Sequence, residues 1–274
     1  VTSVDAVVDG IHFDRKWSGP ESIAVKAVAT ALSDIAAMGA RPGEVYVALG
    51  LPPDADRTWV ERLAASIVSV TEGAGAVLAG GDTVASQKLF LAVTVVGHVE
   101  RTEDLVLRSG ALPGHLVAVT GSLGGAAAGH RLLEHPERHE PIGDEVRQAL
   151  IARQLEPRAR LTESRILAAS GTSSMIDVSD GLAADLGRAV RDVEPFADLL
   201  EERPAQPRGN ARAAAADARV RGQPDGGRCT AHEVLDVIGR KVEPTHPEAV
   251  AQLVDRRTAV AAQHARSAVP EAVE

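Results

Sequence analysis

The chain has 274 residues, 45% of them apolar, and a formal net charge of −9, enough for one large or two medium domains with a packed core. With only three Phe, two Trp and one Tyr, alanine and valine must supply much of that core. Stacking platforms for single-stranded nucleic acid are excluded, and the acidic balance argues against nucleic acid as a partner. The single cysteine, Cys229, excludes an intrachain disulfide framework and a cysteine-rich zinc site. No apolar run approaches the ~20 residues of a membrane span and no signal peptide is recognisable, so the expected location is cytoplasmic, with no membrane partner.

Thr2–Val8 alternates as a strand does. A strand at the very first residue leads to the expectation that sequence precedes it. Ser18-Gly19-Pro20 reads as a helix start, with proline at the first helical position. Ile23, Ala27, Val28, Ala31, Leu32 and Ile35 continue at helical spacing, and Gly39 is placed to end the helix in a left-handed cap. Residues 44–51 read as a strand, Pro52-Pro53-Asp54 as a turn and 57–73 as a second helix. Residues 76–79 and 89–99 read as strands separated by a Gly80-Gly81-Asp82-Thr83 loop.

A second unit is expected from about Arg108. It should hold a strand at 116–120, a helix over 123–133, a polar loop at 136–141 and a helix from about Gly143. A strand at 173–178 then enters Ser179-Asp180-Gly181, followed by a helix over 182–191. Beyond Asp192 the texture changes. Residues 203–228 carry six arginines against Asp217 and Asp225 amid Ala, Pro and Gly, a composition expected to be disordered or poorly folded. Residues 233–242 and 247–264 have helix-forming composition.

Several carboxylates stand in unusual places. Asp34 lies in the last turn of an apolar helix, where the helix dipole disfavours an anion. Its helical neighbours Thr30, Ala31, Ala37 and Met38 offer no basic group, so a bound cation and a solvated surface position both fit. Asp82 follows two glycines that would let a phosphate approach the backbone, although a plain turn has the same sequence. Asp177 interrupts Met175-Ile176-Val178 at a strand end, where α/β proteins bind ligands. Asp5 interrupts an apolar strand in the same way, and Asp180 suits either a ligand or a helix cap. Hard oxygen donors without cysteine favour magnesium over zinc, and magnesium held by several aspartates serves a polyphosphate. His98, His130, His135 and His139 lack ligand spacing.

The order of these segments resembles a known family. Ser3-Val4-Asp5, Asp9-Gly10-Ile11-His12-Phe13, Leu32-Ser33-Asp34-Ile35-Ala36-Ala37-Met38-Gly39-Ala40 and Gly80-Gly81-Asp82-Thr83 are similar to those of the thiamine-monophosphate kinases. So are Arg108-Ser109-Gly110-Ala111, Val119-Thr120-Gly121 and Ile176-Asp177-Val178-Ser179-Asp180-Gly181-Leu182. This family sits in one superfamily with aminoimidazole ribonucleotide synthetase and selenophosphate synthetase, and the resemblance covers residues 2–192. It implies an α+β fold of two mixed α/β lobes of the aminoimidazole ribonucleotide synthetase type. An ATP- and metal-binding lobe would cover 1–105, an incomplete C-terminal lobe 106–195 and a divergent tail 196–274.

The resemblance also implies ATP-dependent phosphorylation of thiamine monophosphate to thiamine diphosphate with magnesium, in a homodimer formed through the N-terminal lobes. By the same implication Ser3, Asp5, Asp34, Asp82, Asp177 and Asp180 ligate magnesium. Gly81, Asp82, Arg108 and Ser179 contact ATP, and His12 faces the thiamine phosphate. No protein nucleophile is implied.

The chain departs from the family in carrying Val4 where threonine is usual and His115 where aspartate is common. No Gly-Asp-Asp segment precedes Asp5, and no Gly-Gly-Glu-Asp-Tyr segment follows Asp192. A late start joined to a frameshift in the tail would explain these departures, and a non-catalytic nucleotide-binding remnant or dimeric scaffold is the alternative function.

Overall fold

A computed structural model describes residues 1–137, 142–190 and 233–235, and these lie in one compact unit. The chain opens with β1 (Thr2–Val8) and α1 (Pro20–Ala37), then β2 (Arg41–Leu51), α2 (Arg57–Gly73), β3 (Val77–Ala85) and β4 (Phe90–His98). Two short 3-10 turns, Thr102–Asp104 and Arg108–Gly110, lead into α3 (Gly125–Glu134), α4 (Asp144–Leu155) and α5 (Leu161–Ala169). After these come β5 (Ile176–Val178), α6 (Leu182–Ala189) and β6 (Glu233–Leu235).

The first four strands form one sheet in the order β1-β4-β2-β3. Its β1/β4 and β4/β2 pairs are antiparallel, and β2/β3 is parallel, as a strand–helix–strand crossover through α2 requires. Along β1, β4 and β2 the inward residues Val7, Leu91, Val93, Val95, Val45 and Val47 are buried. They pack against Ile23, Ala27, Val28, Ala31, Leu32 and Ile35 of α1 and Leu63 and Ile67 of α2. Phe13 is the one aromatic ring in this buried cluster, which matches the scarcity of aromatics. Small aliphatic side chains let α1 lie close to the sheet, and almost every turn of that helix is buried.

Helix α1 begins at Pro20 with Gly19 as its cap. It ends in a Schellman turn, with the Gly39 N–H donating to Ala36 O (2.8 Å) and the Ala40 N–H to Ile35 O (3.2 Å). Gly39 takes φ +69°, the left-handed conformation that glycine adopts without a Cβ penalty.

The structure corrects several expectations. Gly80-Gly81-Asp82-Thr83 is not a loop. It lies inside β3, with Gly81 beside Val47 and Asp82 beside Ala48. The sheet needs glycine there, since a Cβ on Gly81 would stand 2.1 Å from Val47 O. Among the described residues 116–120 form no strand; Leu116 and Val117 are exposed with no neighbouring strand to pair with. The strand expected at 173–178 is confined to Ile176–Val178. Glu233–Leu235 pairs antiparallel with β5 and is not helical. Helix α5 is an addition to the expected elements. The expected loop at 136–141 is described only through residue 137, and the tail expectations over 196–232 and 236–274 lie outside the described residues.

Candidate functional site

A cavity of about 750 Å³ opens where the start of β1, the C-terminal end of α1, the 106–109 segment and the β5–α6 corner meet. Ser3, Asp34, Arg108, Asp177 and Ser179 all line it, so five of the residues singled out from the sequence converge on one space. Each is delivered by a different local rule. Ser3 faces inward on β1 by the strand's alternation. Asp34 rides the last turn of α1. Arg108 sits in the 3-10 turn that Val106 anchors by donating its N–H to Met38 O (3.3 Å). Asp177 and Ser179 flank the end of β5.

Two contacts explain the placement. The Ser3 hydroxyl donates to Asp34 Oδ2 at 2.6 Å. A donor 31 residues away therefore supplies part of the compensation that the helix neighbours of Asp34 cannot. The Ser174 hydroxyl donates to Arg108 O at 2.7 Å, holding the Arg108 turn against the strand that carries Asp177. Asp177 is only 9% exposed, so a carboxylate there has lost most of its hydration and needs cations or donors close by.

The remaining expected residues lie elsewhere. Asp5 shares the inward face of β1 with Ser3 but does not line the cavity. Asp82 is exposed on the opposite sheet face. There the row Ala6–Ala92–Ala48–Asp82 crosses all four strands. Three inter-strand steps separate β1 from β3, roughly 14 Å, so one protomer does not bring Asp5 and Asp82 to the same ion. Gly81 is in β3 beside Val47, away from the cavity. His12 accepts the Val8 N–H at Nδ1 (3.1 Å) and borders a separate cavity of about 140 Å³ with Trp17, Lys26 and Gln154. Asp180 is not the cap of α6; Gly181 holds that position. The Asp180 carboxylate meets Arg188 at 2.5 Å.

Two residues at this corner escaped the sequence reading. Asp185, only 1% exposed, accepts the backbone N–H groups of Ser179, Asp180 and Gly181 at 2.9, 3.0 and 3.1 Å. It also pairs with Arg188. The available signal was an acidic residue in the first turn of a helix with a basic one three positions on. Arg188 is held firmly protonated, first by its hydrogen bond to Asp180 and also by the charge of Asp185.

The side chains lining the cavity include four hydroxyls, three carboxylates and two guanidinium groups, with no His or Cys. Oxygen-only donors suit a hard divalent cation, and arginine suits phosphate. Among the described residues no cluster of three or more His, Cys, Asp or Glu forms a ready-made metal cage.

Residues 1–99 match the family described as AIR synthase related protein, N-terminal domain. The chain is 37% identical over 186 residues to a thiamine-monophosphate kinase of Mycobacterium tuberculosis, covering 68% of this chain and 54% of that protein. It thus spans about half the length of that curated relative. The crystal structure of thiamine monophosphate kinase from Aquifex aeolicus superposes with a TM-score of 0.62 at 33% identity, covering 69% of this chain and 62% of that one. A structure of AaThiL complexed with AMPPCP and TMP superposes with a TM-score of 0.63 at 27% identity, covering 89% and 84% respectively. Residues 1–99 thus carry a likeness to AIR synthase-related proteins, and over about two thirds of its length the chain is similar to the thiamine-monophosphate kinases.

Proposed function

We propose that the chain carries the nucleotide- and metal-binding part of a kinase that transfers the γ-phosphoryl group of ATP to thiamine monophosphate. The observation that carries this reading is the convergence of Ser3, Asp34, Arg108, Asp177 and Ser179 on one cavity. The relative bound to AMPPCP and TMP supplies the substrate pair by analogy.

In this reaction a phosphate oxygen of thiamine monophosphate attacks the γ-phosphorus. The bond to the β,γ-bridging oxygen breaks, and ADP leaves. Such transfer depends on alignment and charge neutralisation more than on a covalent protein nucleophile. Magnesium, when bound, would neutralise the polyphosphate and draw the two phosphates together. Asp34, Asp177 and the Ser3 hydroxyl are the oxygen donors suited to hold it. Arg108 pairs with phosphate oxygens as a planar fork, and Ser179 offers a hydroxyl beside them. Asp5, Asp180, Gly81 and His12 keep their proposed metal, nucleotide and substrate roles. As they stand outside the cavity, those roles require movement, a further segment or a second subunit.

The second subunit has a physical motive. The sheet face away from α1 is open and largely apolar, with Val4, Tyr46 and Val84 exposed around the alanine row that ends at Asp82. A homodimer through this face would bury it and put Asp82 at the interface. The division into lobes at about residue 105 and a cytoplasmic location complete the proposal. Among the described residues no helix is long and apolar enough to cross a membrane.

The deciding experiment is production of ADP and thiamine diphosphate from ATP and thiamine monophosphate with magnesium, beside a thiamine control. Asp82→Asn keeps the side-chain shape and its acceptor for the Thr83 N–H (2.8 Å) but removes the charge. Magnesium-dependent ATP affinity should fall roughly tenfold, measured by calorimetry; an unchanged affinity would remove Asp82 from the site. The alternative, a nucleotide-binding protein without catalysis, draws on the scattering of Asp5, His12 and Asp180 outside the cavity. It predicts ATP binding with no turnover.

A further inference from the structure

The corner between β5 and α6 holds a charge arrangement that the transfer reaction does not require. Three consecutive backbone N–H groups, of Ser179, Asp180 and Gly181, converge on one oxygen of Asp185. Convergent amides of this kind make an anion-binding nest. Here the anion is the protein's own buried carboxylate, so this nest is filled before any phosphate arrives. Gly181 makes the corner with φ +108° and ψ 153°, a conformation open to glycine and strained for other residues.

The second oxygen of Asp185 pairs with one nitrogen of Arg188, and the other nitrogen of Arg188 meets Asp180 at 2.5 Å. One guanidinium therefore bridges two carboxylates, Asp180 half-exposed and Asp185 buried. A divalent cation bound by Asp180 would face the same pair. Arg188 and Asp185 line the large cavity, whereas Asp180 does not. The cation that bridges the corner is thus already at the edge of the space assigned to ATP.

We propose that Arg188 is an internal counter-cation that holds Asp180 in place of a divalent metal ion, and that metal binding at Asp180 turns the guanidinium toward phosphate in the cavity. This rests on the reading of Asp180 as a magnesium ligand. Arg188 would then couple the two ligands: it opposes the metal when nucleotide is absent and favours the phosphate once the metal has taken Asp180. Asp185 keeps its three amide hydrogen bonds throughout and anchors the corner while the arginine moves. Arg188 and Asp185 are positioning residues in this scheme.

The test uses Mn²⁺ as the probe, with free Mn²⁺ followed by electron paramagnetic resonance on the full chain. Arg188→Gln should bind Mn²⁺ about three- to tenfold more tightly than the parent chain, because an ion pair no longer competes for Asp180. In the presence of Mn²⁺ the same variant should bind a non-hydrolysable ATP analogue several-fold more weakly. Opposite signs for the two ligands separate this from general damage, which weakens both, and a melting curve confirms folding. Adding Asp180→Asn to Arg188→Gln should erase the gain in metal affinity, and Arg188→Lys, a point charge without the fork, should fall between. If the parent chain binds Mn²⁺ and Arg188→Gln binds it equally or more weakly, the counter-cation role is overturned while the metal reading of the cavity stands. If neither binds Mn²⁺, both fall together.

Discussion

Asp34→Asn should lower the rate of ADP formation with thiamine monophosphate about 100-fold or more, with little change in thermal stability. The side chain sits at the end of a helix whose dipole opposes its charge, yet it lines the cavity and receives the Ser3 hydroxyl at 2.6 Å. Asparagine retains a carbonyl oxygen for that hydroxyl, so the contact between β1 and α1 persists. What disappears is the negative charge facing the cavity. Relief of the unfavourable dipole interaction should even offset part of any loss in stability, by a few tenths of a kcal/mol. The pair of measurements is a coupled ADP-release assay and a melting curve. A rate within about threefold of the parent would remove Asp34 from the metal site.

The second large effect is expected from Gly110→Ala. A Cβ at this position would stand 1.7 Å from Ser173 O and 2.8 Å from its carbonyl carbon, which no rotamer can relieve because the obstacle is backbone. The turn that carries Arg108 must then lift off the segment leading into β5. That breaks the Ser174 to Arg108 O hydrogen bond and opens one wall of the cavity. A stability loss of about 2–4 kcal/mol is expected, together with loss of nucleotide binding by calorimetry. Gly187→Ala is the matched control. A Cβ there meets nothing within 4 Å, and alanine is the better helix former by up to about 1 kcal/mol. That variant should be neutral or more stable. Equal behaviour of the two glycine variants would show that the tight contact at Gly110 does not hold the wall.

Legibility in the sequence followed the range of the interactions. Helix α1 was readable from Pro20, its apolar spacing and Gly39, since caps and periodicity are local. β1 and α2 were readable for the same reason. The Gly80-Gly81-Asp82-Thr83 segment misled because paired glycines signal a turn. What places them in a strand is the backbone of β2, more than thirty residues earlier in the chain. Leu116–Thr120 misled in the other direction: its composition suits a strand, but the described structure offers it no partner. At the site, the unusual position of Asp34 was visible, while its hydroxyl partner on β1 was not. Asp185 and Arg188 carried a readable i, i+3 charge pair, though its reach back to Asp180 depends on the corner turning at Gly181. Asp5 and Asp82 looked equivalent as isolated acidic residues near strands. The sheet order puts them on opposite edges, and the pairing register, which sets Asp82 one row away from Asp5, puts them on opposite faces.

That sheet order also bears on how the chain acquires its fold. Among the described residues β1 pairs with β4 alone, Thr2 opposite Val96 and Val8 opposite Phe90, so this strand lacks that hydrogen-bonding neighbour until β4 has emerged. At synthesis rates of roughly 5–20 residues per second, those intervening residues take on the order of 5–20 s. Throughout that interval the edge of β1 that β4 will cover is unsatisfied and open to capture by other nascent chains. α1 and the β2–α2–β3 crossover can meanwhile assemble from contacts nearer in sequence. Insertion of β4 between β1 and β2 is then the closing step, with the high contact order that makes such topologies slow to fold. Substitutions in β4 should therefore reduce the yield of folded protein during synthesis more than their effect on the finished molecule would indicate.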